Sequence, residues 1–192
     1  MSKIVVVFPG VGYTVDKPLL YYGLDVAYEA GYCEIVKIAY SSDIKGDIRN
    51  NIEVRKNLYE DLYCQAQLQL SEIDWSQYDE ILFISKSIGT VIASSYAEEN
   101  NIDVRHVLYT PLNETFMYRH KEAIAFIGTK DSFSDVEEIL ALSERAKVPI
   151  HVFDGCNHSL ETEDALKNIE IIEKTMKITK GFIGDESGTI YF

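Results

Sequence analysis

Six short apolar runs recur along the chain, most with a helix-length segment between them, and that rhythm constrains the fold more than any other feature. They are Lys3 to Phe8, Glu34 to Ala39, Glu80 to Ser85, Val104 to Tyr109, Ala123 to Gly128 and Pro149 to Phe153. Their length and their β-branched or aromatic content mark them as strands. Between them apolar residues return with helical spacing. Leu19, Leu20, Gly23, Leu24 and Ala27 follow Pro18 and stop at Gly31. Leu58, Leu62 and Ala66 lie four apart within Asn51 to Leu70, and Ile88, Val91, Ile92, Ser95 and Tyr96 follow the third run. Val136, Ile139, Leu140 and Ser143 face inward from a helix over Ser134 to Ala146, and a last helix over Thr162 to Met176 carries Ala165, Leu166, Ile169 and Ile172. Strands alternating with helices predict a three-layer α/β/α architecture around a mostly parallel six-stranded sheet.

The 192 residues suit one domain over 1–192, with a core of about 3–176. The stretch 178–192 reads as a C-terminal tail or an edge strand. A net charge of −13 argues against nucleic-acid binding, which needs a basic face for the phosphates. No apolar run approaches the ~20 residues a membrane helix requires. The N-terminal apolar run lacks a small-residue cleavage site and fits a strand closing on Pro9-Gly10 better than a leader. Three cysteines, Cys33, Cys64 and Cys156, are odd in number and far apart, which points to a reducing, cytoplasmic setting.

In an open parallel sheet the ligand lies beyond the carboxyl ends of the strands. The first run ends in Pro9-Gly10-Val11-Gly12, the third in Ser85-Lys86-Ser87-Ile88-Gly89, the fifth in Gly128-Thr129-Lys130-Asp131 and the sixth in Gly155-Cys156-Asn157-His158. A serine, an aspartate and a histidine therefore meet on one rim. A serine hydroxyl attacks only as it loses its proton, a neutral histidine can accept that proton, and a carboxylate can orient the histidine. The tetrahedral oxyanion needs donors, and the backbone N–H groups of Val11 and Ile88 are the natural pair. Gly10 and Gly12 let the main chain approach a substrate closely.

Those four segments, in that order, resemble the α/β-hydrolase superfamily in its small form without a large lid. Pro9 to Gly12 is similar to its oxyanion loop, Ser85 to Gly89 to its nucleophile elbow, Gly128 to Asp131 to its acid loop and Gly155 to Glu161 to its histidine loop. Two positions depart: Pro9 stands where that loop often has histidine, and Ser85 where the elbow usually begins with glycine. The resemblance covers roughly Lys3 to Met176. It implies a metal-independent, cofactor-free serine hydrolase for a small ester or thioester, with Ser87 as nucleophile, His158 as base and Asp131 as acid.

Each role has a structural alternative. Ser87 could cap the following helix, and Asp135 rivals Asp131 for the acid. Gly10, Gly12, Tyr13, Lys86, Phe116 and Met117 are candidate substrate contacts, with ordinary packing the competing explanation for the aromatic residues. His106, His120 and His151 read as structural. Cys156 and His158 lie two apart, but no second cluster completes a metal set, and no third glycine completes a dinucleotide fingerprint. Amide cleavage or acyl transfer would use the same triad, and a non-catalytic binding protein on the same scaffold is the rival of another class. A homodimer is left open by the sequence.

Overall fold

The computed structural model describes residues 1–44 and 51–184. Its centre is a six-stranded sheet formed by β1 (Lys3–Phe8), β2 (Glu34–Lys37), β3 (Glu80–Lys86), β4 (Arg105–Tyr109), β5 (Glu122–Gly128) and β6 (Ile150–Phe153). The order is β2-β1-β3-β4-β5-β6, and every neighbouring pair is parallel. The chain steps outward from β1 to β2, returns past β1 to β3, and then advances in one direction. The carboxyl ends of β1 and β3 therefore flank the point where the winding reverses, the place at which such sheets hold ligands.

Alternation along β1 sends Val5 and Val7 to one face and Ile4, Val6 and Phe8 to the other, all fully buried. The first face is covered by α1 (Pro18–Glu29), which begins on a proline at its first turn, and by α5 (Ala165–Gly184). The second is covered by α2 (Ile52–Leu70), capped by Asn51, and α3 (Ile88–Glu99), with α4 (Val136–Ala146) beyond them. This is the expected three-layer α/β/α architecture, and all strand pairs are parallel.

The last helix departs from the reading of the sequence. Leu166 and Ile169 are 74% and 65% exposed, and the inward positions are Ile171, Thr175, Thr179 and Ile183, each four residues from the next. An apolar-only pattern skips this stripe because two of its members are threonines. Their hydroxyls are satisfied: Thr175 Oγ1 donates to the Ile171 carbonyl at 2.8 Å, and Thr179 Oγ1 lies 3.0 Å from the Tyr109 hydroxyl. The helix also runs on to Gly184, so 178–184 are its final turns and not a tail or an edge strand. Residues 185–192 lie outside the described residues.

Candidate active site

β3 ends at Lys86 and α3 begins at Ile88, so the whole turn rests on Ser87. Its φ of 56° and ψ of −127° lie in a region that residues with a side chain rarely occupy, a strain of order 1–3 kcal/mol that the surroundings must hold. Gly89 shows why the turn can be so tight. A Cβ there would sit 2.4 Å from the Phe8 carbonyl oxygen and 2.5 Å from that of Pro9, so any side chain would push α3 off β1. Ser85 is fully buried, with Oγ 3.3 Å from the Val107 carbonyl, and acts as a small strand-end packing residue.

Ser87 occupies the position before the first residue of α3, yet its side chain caps nothing. Its hydroxyl lies 2.8 Å from His158 Nε2 instead. His158 Nδ1 is 2.7 Å from Asp131 Oδ2, and the Asp131 side chain is fully buried. The other carboxylate oxygen of Asp131 accepts the Phe133 N–H at 2.8 Å. A neutral imidazole protonated on Nδ1 satisfies both contacts at once, since Nδ1–H donates to the carboxylate and Nε2 accepts from the serine. Asp135 is elsewhere: it is exposed, and its carboxylate accepts the N–H groups of Glu137 and Glu138 at the start of α4.

Two residues hold this geometry without having been legible as site residues. The Phe133 ring stacks on the His158 imidazole with centroids 4.4 Å apart and planes 29° apart. Asn157 Oδ1 accepts the N–H groups of Ser159 and Glu161, which folds the loop carrying His158 into a tight turn. The available signals are an aromatic residue two after Asp131 and an asparagine directly before His158.

Beside the serine passes the loop after β1. A Cβ placed on Gly10 would lie 3.1 Å from Ser87 Cβ, so a side chain there would be tight unless the serine turn gave by a few tenths of an ångström. Val11 is 55% exposed, while Ile88 is the first residue of α3 and has no carbonyl one turn back within the helix. Among the described residues, neither N–H donates to a protein acceptor.

The remaining candidate contacts are scattered. Gly12 sits at a φ of 73° in the turn. Tyr13 is buried, and its hydroxyl accepts the Leu19 N–H at 3.1 Å. Lys86 is buried too, with Nζ 4.9 Å from the centre of the Tyr13 ring. Phe116 packs against the cluster of Leu108, Ala123, Ala125 and Val148, and Met117 is 78% exposed.

The other histidines lie apart from the serine. His106 is buried in β4 with its ring 5.1 Å from that of His120, and burial drives its pKa well below the ordinary value. His120, whose Nε2 is 2.8 Å from Ser94 Oγ, is brought down to about 4 by burial. His151 stacks on Phe126. Among the described residues no three His, Cys, Asp or Glu side chains gather as a metal set, and no helix is long and apolar enough to cross a membrane. Cys156 is buried, which raises its thiol pKa.

No protein-family model matches the sequence, and no curated protein matches it either. Solved structures do match in three dimensions. An α/β serine hydrolase homologue from Coxiella burnetii has a TM-score of 0.58 and 19% identity over 92% of this chain and 84% of that one. An esterase from Pyrococcus furiosus gives 0.60 and 15% over 95% and 84%. An α/β serine hydrolase without lid from Xanthomonas campestris gives 0.58 and 10% over 91% and 79%. At such identities the likeness is one of fold, and the fold is that of the α/β hydrolases.

Proposed function

We propose that this chain is a serine hydrolase that cleaves a small carboxylic ester or thioester through an acyl-enzyme. The observation that carries the reading is the unbroken line from Ser87 Oγ through His158 to the buried Asp131 carboxylate, at 2.8 and 2.7 Å. The fold shared with a serine hydrolase homologue and an esterase supports hydrolysis in general. The ester or thioester, the triad roles and the acyl-enzyme are our reading of the site.

In this mechanism the Ser87 hydroxyl attacks the substrate carbonyl carbon while its proton passes to His158 Nε2. The C–O or C–S bond to the leaving group then breaks as His158 returns that proton to it. Water enters, gives a proton to His158 and attacks the acyl carbonyl, and Ser87 leaves with its proton restored. Asp131 keeps the imidazole in the Nδ1–H form and stabilises the imidazolium in both halves. The oxyanion of each tetrahedral intermediate is held by the N–H groups of Val11 and Ile88, the latter at the positive end of α3.

The connection from Pro111 to Lys121 holds one 3-10 turn, Asn113–Met117, too little chain to form a large lid, and an open site favours modest soluble substrates. The free thiols of Cys33, Cys64 and Cys156 are in keeping with a cytoplasmic setting. A panel of p-nitrophenyl esters of increasing acyl length tests the reading. Turnover that declines with chain length and vanishes in Ser87→Ala is expected. No turnover on any member, or undiminished turnover in Ser87→Ala, would favour a binding protein on a hydrolase scaffold.

A further inference from the structure

Lys86 is a charged group beside the serine that the proposed mechanism leaves unused. It is the last residue of β3, only 3% of it is exposed, and it directly precedes Ser87. Burying an ammonium group is costly unless a counter-charge meets it. Asp131, whose field reaches it, has its carboxylate committed to His158, and among the described residues no carboxylate forms an ion pair with Lys86. The ammonium lies instead 4.9 Å from the centre of the Tyr13 ring, within cation–π range. A charge kept in so poor a place for stability calls for a functional return.

The path of the side chain shows what it does. Its stem runs beneath the loop after β1, with Cδ 3.2 Å from where a Gly10 Cβ would stand. The same loop closes on itself through a bridge between Gly10 and Tyr13, the Tyr13 N–H donating to the Gly10 carbonyl at 3.2 Å. Tyr13 is anchored at its far end, where its hydroxyl accepts the Leu19 N–H from α1. Lys86 thus touches both ends of the turn: its stem meets Gly10 and its ammonium meets Tyr13. Val11 stands between them, carrying one of the two proposed oxyanion donors.

We infer that Lys86 is a positioning residue that clasps the oxyanion loop to the serine turn through its contact with the Tyr13 ring. The inference rests on the hydrolase reading above. The clasp sets where the Val11 N–H points relative to the attacked carbonyl, so its effect falls on the transition state more than on bound substrate. It also exists only while the ammonium is charged. The charged and titratable groups bearing on it are Tyr13 from the loop after β1, Asp131 from the loop after β5 and Glu161 from the loop after β6. Burial pulls the Lys86 pKa down to about 8, opposed by the fields of Asp131 and Glu161, and burial pushes Tyr13 up to about 12, so Tyr13 stays neutral while Lys86 titrates.

Lys86→Met keeps most of the stem and removes the charge. With p-nitrophenyl acetate, wild-type kcat should decline as pH rises through about 8, and Lys86→Met should lack that limb. At pH 7 the variant should lose roughly tenfold in kcat with KM changed less than twofold, the mark of an interaction made in the transition state. Its Tm at pH 7 should stay close to that of the wild type, because losing the contact with the Tyr13 ring is offset by removing a charge that is costly to bury. Tyr13→Leu should erase the same alkaline limb, and adding Lys86→Met to it should cost less than a further twofold.

Wild-type kcat and an intact alkaline limb in Lys86→Met would overturn the inference. So would a loss of activity that follows a lowered Tm, which would make Lys86 merely structural. Fluorophosphonate labelling of Ser87 in the same preparations separates the two levels. No label on wild type would sink the hydrolase reading itself, whereas normal labelling with unchanged Lys86→Met kinetics would sink the clasp alone.

Discussion

Two lysines of this sheet rest on tyrosine rings, at opposite ends of neighbouring strands. Lys3 opens β1 with Nζ 5.3 Å from the Tyr32 ring, and Lys86 closes β3 with Nζ 4.9 Å from the Tyr13 ring. Lys3 also has a full partner, Glu80 at 2.7 Å, and Glu80 in turn accepts the Tyr32 hydroxyl at 2.9 Å. The pattern repeats along that rim, where Arg105 at the start of β4 meets Glu122 at the start of β5 at 2.9 Å. At the amino ends of the strands charges are paired across neighbouring strands and partly hydrated. At the carboxyl ends of β3 and β5, Lys86 and Asp131 are buried beside a strained serine. The amino-end pairs neutralise one another, whereas Asp131 and Lys86 lie where the proposed chemistry would take place.

The contrast is most exposed to failure at Asp131. Replacing its carboxylate with an amide in Asp131→Asn should lower kcat by about 10³–10⁴, because the imidazole loses the partner that fixes its tautomer. Steady-state kinetics on an activated ester would show it, and near-normal turnover would mean that the buried acid does nothing for catalysis.

A second test uses the buried histidines toward the amino end of β4. His120 resists protonation in the folded protein, with its pKa brought down to about 4 by burial, but would titrate near 6.5 when unfolded. Its contribution is complete above pH 6.5 and is lost as pH falls, reaching about 3 kcal/mol once the pH is below 4. Urea midpoints measured from pH 7 down to 4.5 should therefore fall more steeply in wild type than in His120→Asn. Equal slopes would place the acid sensitivity elsewhere.

Smaller effects are expected where side chains serve only local structure. Asp135→Ala removes the cap of α4 and should cost about 1 kcal/mol of stability while leaving turnover within twofold. A large loss of activity there would reverse the assignment of the acid. Lys3→Met should be smallest of all: at 18% side-chain exposure the pair with Glu80 is partly screened, so a change below about 1 kcal/mol in unfolding free energy, with unchanged kinetics, is expected. An effect on kcat from Lys3 would erase the distinction between the rims.

Much of this was readable in the chain because strand periodicity and turn residues are local signals. All six strands lie where the apolar runs stand, and the residues that close four of them supply the loops around Ser87. The three side chains the sequence singled out do meet, since a parallel sheet delivers every strand's carboxyl end to one rim. What escaped was set by contacts between distant segments. The inward stripe of α5 includes Thr175 and Thr179, whose hydroxyls are satisfied only once the helix is formed and docked, so hydropathy alone chose Leu166 and Ile169. Phe133 gains its role by stacking on a histidine 25 positions later, and no local pattern records that. Lys86 read as a substrate contact because it neighbours the serine. Its burial against Tyr13 depends on β1 and β3 lying side by side.

The central claim is that Ser87 is a nucleophile, and the most direct measurement is peptide mapping by mass spectrometry after exposure to a fluorophosphonate. The account predicts one adduct per chain, on the peptide that carries Ser87, and none on Ser87→Ala. No adduct on the folded wild-type protein, or an adduct that survives Ser87→Ala, would contradict it.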